Sequence, residues 1–455
     1  VRTIYIDCSY LADHVDLNTG IQRVVRQVVQ HFYQFGDEQG FRVQPVLISH
    51  GRFELLTQAM LYPAHTDDTD GGTLRKPRVS FRHALISYLK GVYHAGREML
   101  SALAGHHSGV RRFLYAPRQQ FGLNRIIELS LLSPARWCLG KLSARKSVKA
   151  DSGAFSVIRE GDLLLLLDSS WYCNIWPSVA QARAQGASVT AVIYDLIPIT
   201  HRQFCDDFLA QVFARWFTES LEHVERYVAI SRTVRDDLQA YMRKEHGSRV
   251  DNKQFEYFLL GADFGYESPS DESVRPELKE ALAERHTYLM VSTIEPRKNH
   301  AFVLDAFDEL WSEGRNVNLL LAGRPGWKVE ALLERIRYHP ALNKRLFCWH
   351  DLSDSELDYC YRHARMLIFP SVVEGFGLPI IESLHHRLPV LASDTPVHRE
   401  VGGEQIGYFS LEHHLALVEW IQRIEHDGVP EQLQVSDHFK WLSWRESSQM
   451  LLSKL

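Results

Sequence analysis

Short apolar runs alternate with amphipathic stretches along most of the chain. In the first half the apolar runs are TIYIDCSYL near 3–11, RVQPVLIS near 42–49, DLLLLLDSS near 162–170, ASVTAVIYD near 187–195 and RYVAIS near 226–231. The second half repeats the pattern with TYLMVST (287–293), NVNLLLAG (316–323), RLFCWH (345–350), ARMLIFPS (364–371) and PVLASD (389–394). Each run is strand-length and ends in a turn, and helical periodicity follows over 299–312, 328–338, 353–363 and 377–386. Strand, turn and helix in repetition predict parallel sheets clothed by helices. A chain of 455 residues is too long for one hydrophobic core.

The expected architecture is therefore α/β, with two Rossmann-like doubly wound domains facing each other across a cleft. The first covers 1–262 and the second 263–430, with a helical tail over 431–455 whose HFKWLSWRESSQMLLSKL reads as amphipathic. They join near LLGADFGYESPSDESVRPEL (259–278), rich enough in Gly, Ser and Pro to act as a hinge. A segment of about 67–155 interrupts the first series and reads as an insertion. In sheets of this kind ligands bind at the carboxyl ends of the strands.

Composition changes little in this picture; charge changes more. At 45% hydrophobic and 24% charged the chain is that of a globular protein, and a net charge of −5 argues against a nucleic-acid partner. From Arg75 to Lys149, however, fifteen Lys/Arg face two acids, Glu98 and Glu128, a local +13. Basic residues among apolar ones at helical spacing fit helices lying on an anionic bilayer. A solvated insertion or a dock for an acidic partner fits equally well. The chain starts directly as a strand rather than as an apolar leader. Its longest apolar run, LLLLL at 163–167, is far short of the ~20 residues that span a bilayer. Six scattered cysteines without a CxxC pair fit a reducing compartment and no structural zinc. The expected location is cytoplasmic, peripheral to the inner face of the membrane if the basic segment docks there.

Four stretches place polar chemistry between a strand and a helix. In DLNTGIQRVVRQ, Gly20 precedes an amphipathic helix, where a ligand can approach unpaired backbone N–H groups; an Asn18/Thr19 cap with Gly20 as the turn is the plainer reading. In STIEPRKNHAF, Arg297 and Lys298 stand just before Asn299, which is expected to cap a helix. Cations at a helix start oppose its dipole, so an anion such as a diphosphate is favoured there. LLAGRPGW (320–327) is a loose glycine turn at the cleft rim. In SVVEGFGLPIIESL, Gly375 and Gly377 would let backbone N–H groups meet a ligand, and Pro379 suits the first helical turn. Glu374 in that loop and Glu382 on the helix are carboxylates placed to accept hydrogen bonds from paired hydroxyls, as sugars and ribose present them. Asp68-Thr69-Asp70, the one Asp-x-Asp after an early strand, lies in a polar loop and reads as solvated.

EPRKN and EGFGLPIIE closely resemble the family-four retaining glycosyltransferases, which have the two-domain GT-B fold. The resemblance is dense over about 285–410 and loose over 1–30 and 160–262. It implies that Glu374 contacts the donor sugar, Glu382 the ribose and Arg297 with Lys298 the diphosphate. It also implies that the backbone of Gly375, Phe376, Gly377 and Leu378 meets sugar hydroxyls or phosphates, with Gly20 in the N-terminal glycine loop. No metal and no cofactor are expected beyond a nucleoside-diphosphate sugar as co-substrate. One departure matters: where many members carry a histidine, VIYDLIPITH has Tyr194, followed by Asp195, with His201 six residues on. Tyr194, Asp195 and His201 are all candidates to face the acceptor, and Asp195 is the one expected to act there in catalysis. The strings look most like bacterial mannosyl- and rhamnosyltransferases of O-antigen or exopolysaccharide assembly. The expected reaction is thus transfer of a mannose- or D-rhamnose-type hexose, from a GDP-linked donor first and a UDP-linked one otherwise, to a glycan or lipid-linked acceptor. A different GT-B enzyme, such as a nucleotide-sugar epimerase or a phosphorylase, and a non-catalytic nucleotide-sugar binder are the remaining alternatives.

Overall fold

A computed structural model describes residues 1–15, 20–49, 52–57, 61, 158–262, 271–283, 285–436 and 439–455. The basic insertion, the Asp68–Asp70 string, the Asn18/Thr19 cap and residues 263–270 of the expected hinge lie outside the described residues. Two sheets organise the rest. The first joins β1 (Thr3–Asp7), β2 (Arg42–Ser49), β3 (Arg52–Leu55), β4 (Leu163–Leu166), β5 (Ser188–Ile193), β6 (Arg226–Ala229) and β7 (Gln254–Tyr257) in the order β3-β2-β1-β4-β5-β6-β7. All of its pairings are parallel except β2 with β3.

The second sheet joins β8 (Thr287–Val291), β9 (Asn318–Ala322), β10 (Leu346–Trp349), β11 (Met366–Phe369), β12 (Val390–Ser393) and β13 (Gly407–Phe409). Its order is β10-β9-β8-β11-β12-β13, parallel throughout. In both sheets the chain winds outward to one edge, returns to the middle and winds to the other. Each therefore has a switch point, between β1 and β4 in the first and between β8 and β11 in the second, where such sheets bind ligands.

The leucine run shows why these segments are strands. Leu163, Leu165 and Leu167 enter one hydrophobic cluster, Leu164 and Leu166 another on the opposite face. Strand side chains alternate with a period of two, so a run apolar at every position is a strand buried on both faces. β11 repeats the division, with Leu367 and Phe369 on one side and Met366 and Ile368 on the other.

Three local expectations are corrected. The first strand does not run to 11: it stops at Asp7, whose Oδ1 accepts from Ser9 N at 3.1 Å and from Ser9 Oγ at 2.5 Å. That local bonding turns the chain into the short helix Ser9–Asp13. Asn299 does precede a helix, His300–Ser312, but without a side-chain cap bond; it turns the corner with a left-handed backbone, φ 60°. Among the described residues of the tail, α-helix covers Trp444–Leu452 alone, begun by a reciprocal Ser443/Glu446 capping box, with a short 3-10 turn at Glu431–Leu433 before it. This helix packs on the helix Gly20–Gln39 of the first lobe, where Arg445 pairs with Glu38 at 2.8 Å.

Candidate active site

Arg297 and Lys298 follow β8, Glu374 follows β11, and these neighbouring strands flank the second sheet's switch point. The loop after β11 is tied to the one after β8 by Val372 N donating to Arg297 O at 2.8 Å. Both Glu374 oxygens are gripped: Oε2 by Arg297 Nη1 at 2.6 Å and Oε1 by the Lys298 ammonium. Arg297 also reaches Glu295 Oε1 at 2.7 Å and Val373 O at 3.2 Å. Glu295, the first residue of EPRKN, is thus a member of the ion cluster that the sequence pattern did not mark.

Burial alone would push the Glu374 carboxyl up, but Arg297 and Lys298 outweigh it and bring the group to about 2. Glu374 is thus ionised throughout the physiological range. Lys298 shifts down, from burial first and then from Arg297 beside it. For Arg297 burial works against the charge, yet Glu374 and Glu295 carry it above its ordinary value.

Gly375 also has a packing reason that the sequence did not reveal. A side chain on Gly375 would put its Cβ 2.0 Å from Tyr194 O and 3.2 Å from Asp195 Cβ. The missing side chain therefore lets the loop touch the first lobe, rather than leaving room for a ligand alone. Gly375 O also accepts from Ser231 Oγ at 2.9 Å. Gly377 has φ 104° and starts the helix Leu378–His385; only glycine takes that backbone readily. The Phe376 side chain is buried against Trp441, so only its backbone can face a ligand. Gly20 opens its helix close to Leu378 Cδ1, 3.9 Å from where a Gly20 Cβ would stand. Two helix N-termini therefore approach each other here, both suited to anions.

Glu382 is not on a solvated helix face. It is 5% exposed, its Oε1 held by Arg23 of the first lobe and its Oε2 by the Tyr361 hydroxyl at 2.8 Å. The periodicity of the Gly20–Gln39 helix predicted its apolar face but gave no sign of Arg23 as a partner, since nothing local marks a contact across 359 residues.

On the first lobe Asp195 follows β5, half-buried, with Oδ1 accepting from Ile197 N at 2.9 Å. Burial raises its pKa and Arg297 opposes that, so it belongs electrostatically to the same cluster. Tyr194 does not stand in for a reactive histidine: its hydroxyl is spent on Leu167 O at 2.7 Å. His201 bonds Thr200 Oγ1 at 2.8 Å and stacks on Phe204. Across the cleft, Trp327 Nε1 donates to Phe204 O at 2.6 Å, and Glu400 accepts from Arg232 N and Thr233 N, both at 2.7 Å, at the start of the helix Arg232–His246. The lobes are docked. Among the described residues no group of three His, Cys, Asp or Glu side chains is arranged to hold a metal ion, and no helix is long and apolar enough to cross a membrane.

Residues 275–438 match the family model of glycosyl transferases group 1. The serotype-specific mannosyltransferase WbdA of Escherichia coli is 35% identical over 308 residues, covering 65% of this chain and 37% of WbdA. The O-antigen chain mannosyltransferase RfbU of Salmonella typhimurium is 26% identical over 214 residues, 47% of this chain and 54% of RfbU. This chain therefore spans little more than a third of WbdA's length and about half of RfbU's. Among solved structures, Anabaena Alr3699/HepE in complex with UDP and glucose superposes with a TM-score of 0.54 at 12% identity, covering 100% of this chain and 95% of that one. Sucrose-phosphate synthase from Thermosynechococcus elongatus gives 0.53 at 15%, covering 99% and 95%. The motifs around Arg297 and Glu374 thus sit in a glycosyl transferases group 1 domain, residues 275–438, carried on a GT-B fold.

Proposed function

We propose that the protein is a retaining hexosyltransferase. It takes mannose, or a D-rhamnose-type sugar, from a GDP-linked donor to a hydroxyl of a glycan or lipid-linked acceptor in bacterial O-antigen assembly. The observation that carries this reading is the meeting of Arg297, Lys298 and Glu374 at one switch point, opposite Asp195. The mannosyltransferase relatives favour the sugar.

In the reaction the bond from the anomeric carbon to the diphosphate oxygen breaks, and its electron pair leaves with the diphosphate. The acceptor oxygen bonds to the same face of that carbon, and its proton passes to the departing phosphate oxygen. Arg297, Lys298 and the N-termini of the helices Gly20–Gln39 and Leu378–His385 stabilise the charge that develops on the leaving group. Glu374, held ionised, accepts from sugar hydroxyls and faces the positive charge growing on the ring. Asp195 orients the acceptor. Glu382 receives the ribose hydroxyls once Arg23 yields its place. Contact between the lobes keeps water from the donor.

The test is incubation with GDP-mannose or a UDP-hexose, a mannoside acceptor and EDTA, following nucleotide release and the anomeric configuration by NMR. Transfer from GDP-mannose with an α-linked product, unaffected by EDTA, is expected. Turnover with UDP-hexose alone would correct the donor. Nucleotide binding without turnover of either donor would defeat the transferase reading.

A further inference from the structure

Arg297 is surrounded by more carboxylate than its charge can match. Glu295 Oε1 lies 2.7 Å from its Nη2 and Glu374 Oε2 2.6 Å from its Nη1. Asp195 feels the same guanidinium, while the Lys298 ammonium is spent on Glu374. Three carboxyls, Asp195, Glu295 and Glu374, thus stand against two cations, Arg297 and Lys298. Negative charge is in excess before any ligand arrives, and a diphosphate adds more of it at the same place. Like charges crowded in a site shielded from water do not all stay ionised. The group that takes a proton is the one most buried and least partnered.

The three carboxyls differ in what keeps them charged. Glu374 has both oxygens gripped. Asp195 accepts from Ile197 N at 2.9 Å. With Arg297 it borders a cavity of about 180 Å³ between the lobes, whose wall is otherwise largely apolar and includes Trp171, Trp216 and Trp327. Glu295 does not border that cavity. It is 3% exposed, and the turn Gly323–Lys328 closes over it, so that a Cβ on Gly326 would stand 3.4 Å from Glu295 Cβ. Its ion pair is with Arg297, the side chain that a diphosphate would draw away. Burial raises the Glu295 carboxyl; Arg297 and then Lys298 oppose this, and Glu374 and Asp195 add to it.

The other titratable groups around the cluster do not compete for this proton. The Cys205 thiol is pushed up to about 11, by burial first. His300 is pushed down to about 3 by burial and then by Lys298, and burial lowers His398 too. On the covering turn Lys328 donates to Cys205 O at 2.6 Å, and Arg324 is the other charged side chain.

We propose that Glu295 is a positioning residue, which holds Arg297 until a donor arrives and takes up a proton from solvent when the diphosphate engages that guanidinium. Donor binding and protonation of Glu295 are then one coupled event. The inference rests on the nucleotide-sugar reading of this site and adds to it a residue that touches no part of the ligand.

The experiment is calorimetric titration of the full chain with GDP-mannose, and separately with UDP-glucose, between about pH 6 and pH 8 in PIPES and in imidazole. Neither ligand's diphosphate titrates in that interval, so the difference in heat between buffers counts the protons exchanged with the protein. The wild type should take up between about half and one proton per donor bound. The bound form holds the extra proton, so affinity should fall as pH rises, by up to about tenfold per unit. Glu295→Gln keeps the shape without the charge. It should abolish the uptake, flatten the slope and bind at least as tightly as the wild type at the alkaline end. Binding to the wild type without proton uptake overturns the proposal and needs no variant. Undiminished uptake in Glu295→Gln overturns it too, as does a loss of affinity at unchanged slope, the mark of a merely structural side chain. If neither sugar nucleotide binds, the donor reading and the inference fall together; binding without uptake removes the inference alone.

Discussion

Arg23, near the start of one lobe's helix, donates from Nη1 to Glu382 Oε1 on the other lobe, and the Tyr361 hydroxyl takes the second oxygen. The Glu382 side chain is 6% exposed and that of Arg23 28%, so the pair is largely shielded from water. Arg23→Ala would leave a carboxylate buried with one donor. Because the partners touch, the double variant Arg23→Ala/Glu382→Ala should cost less than the two single variants summed, by about 0.5–3 kcal/mol. Denaturant melts of the four proteins measure this; strict additivity would mean that the pair contributes nothing.

Glu374 neutralises two cations, which separates its effect on binding from its effect on chemistry. Glu374→Gln removes a negative charge beside Arg297 and Lys298 while keeping the shape. Nucleoside diphosphate should then bind at least as tightly as to the wild type, whereas transfer should fall by about 10²–10³-fold. Arg297→Ala should instead weaken the nucleotide itself. Calorimetric titration with GDP and initial rates distinguish the two; weaker GDP binding in Glu374→Gln would contradict the assignment.

Gly375 touches the Tyr194 carbonyl so closely that even one methyl group is excluded. Gly375→Ala should part the lobes, raise the radius of gyration in small-angle scattering and slow transfer by about 10²-fold, the effect of misplacing reacting groups by about an ångström. An unchanged scattering profile with full activity would show that the loop relaxes elsewhere.

The first sheet's own switch point holds two carboxyls, Asp7 at the end of β1 and Asp168 just after β4, both buried. Burial raises Asp7 to about 6; burial, then the neighbouring Asp7, raises Asp168 to about 7. Both folded values lie above the roughly 3.9 of an unfolded chain. Between these limits the folded state binds more protons than the unfolded one. Stability should therefore fall as pH rises from about 4 to about 7, a cost absent at the acid end and complete at the neutral end. Asp7→Asn should flatten that slope in urea melts across the interval; an unaltered slope would place the titration elsewhere.

Much of this was legible because it is local. Strand positions follow from runs such as 163–167, and EPRKN and EGFGLPIIE announced the cluster because each lies wholly within one β–α turn. What stayed hidden is what the sheet order brings together. Nothing near Trp171, Trp216 or Trp327 says that three distant indoles share one wall, and nothing near Arg23 points to Glu382. Gly375 stands out in the sequence, but its packing reason does not, because the Tyr194 carbonyl that requires it belongs to another lobe. β3, β7 and β13 are short edge or near-edge strands with weak alternation, so no periodicity marked them.

The chain leaves the first lobe after Ala262 and is back on it by Trp441, where Trp441 Nε1 donates to Leu260 O at 2.8 Å and Ala262 N donates to Leu442 O at 3.0 Å. Outgoing and returning passages are thus pinned side by side. A body attached by one thread can tumble, but one attached by two adjacent threads swings about a single line, like a book on its spine. Any opening of the cleft would turn about that spine, so closing would bring the same surfaces together again.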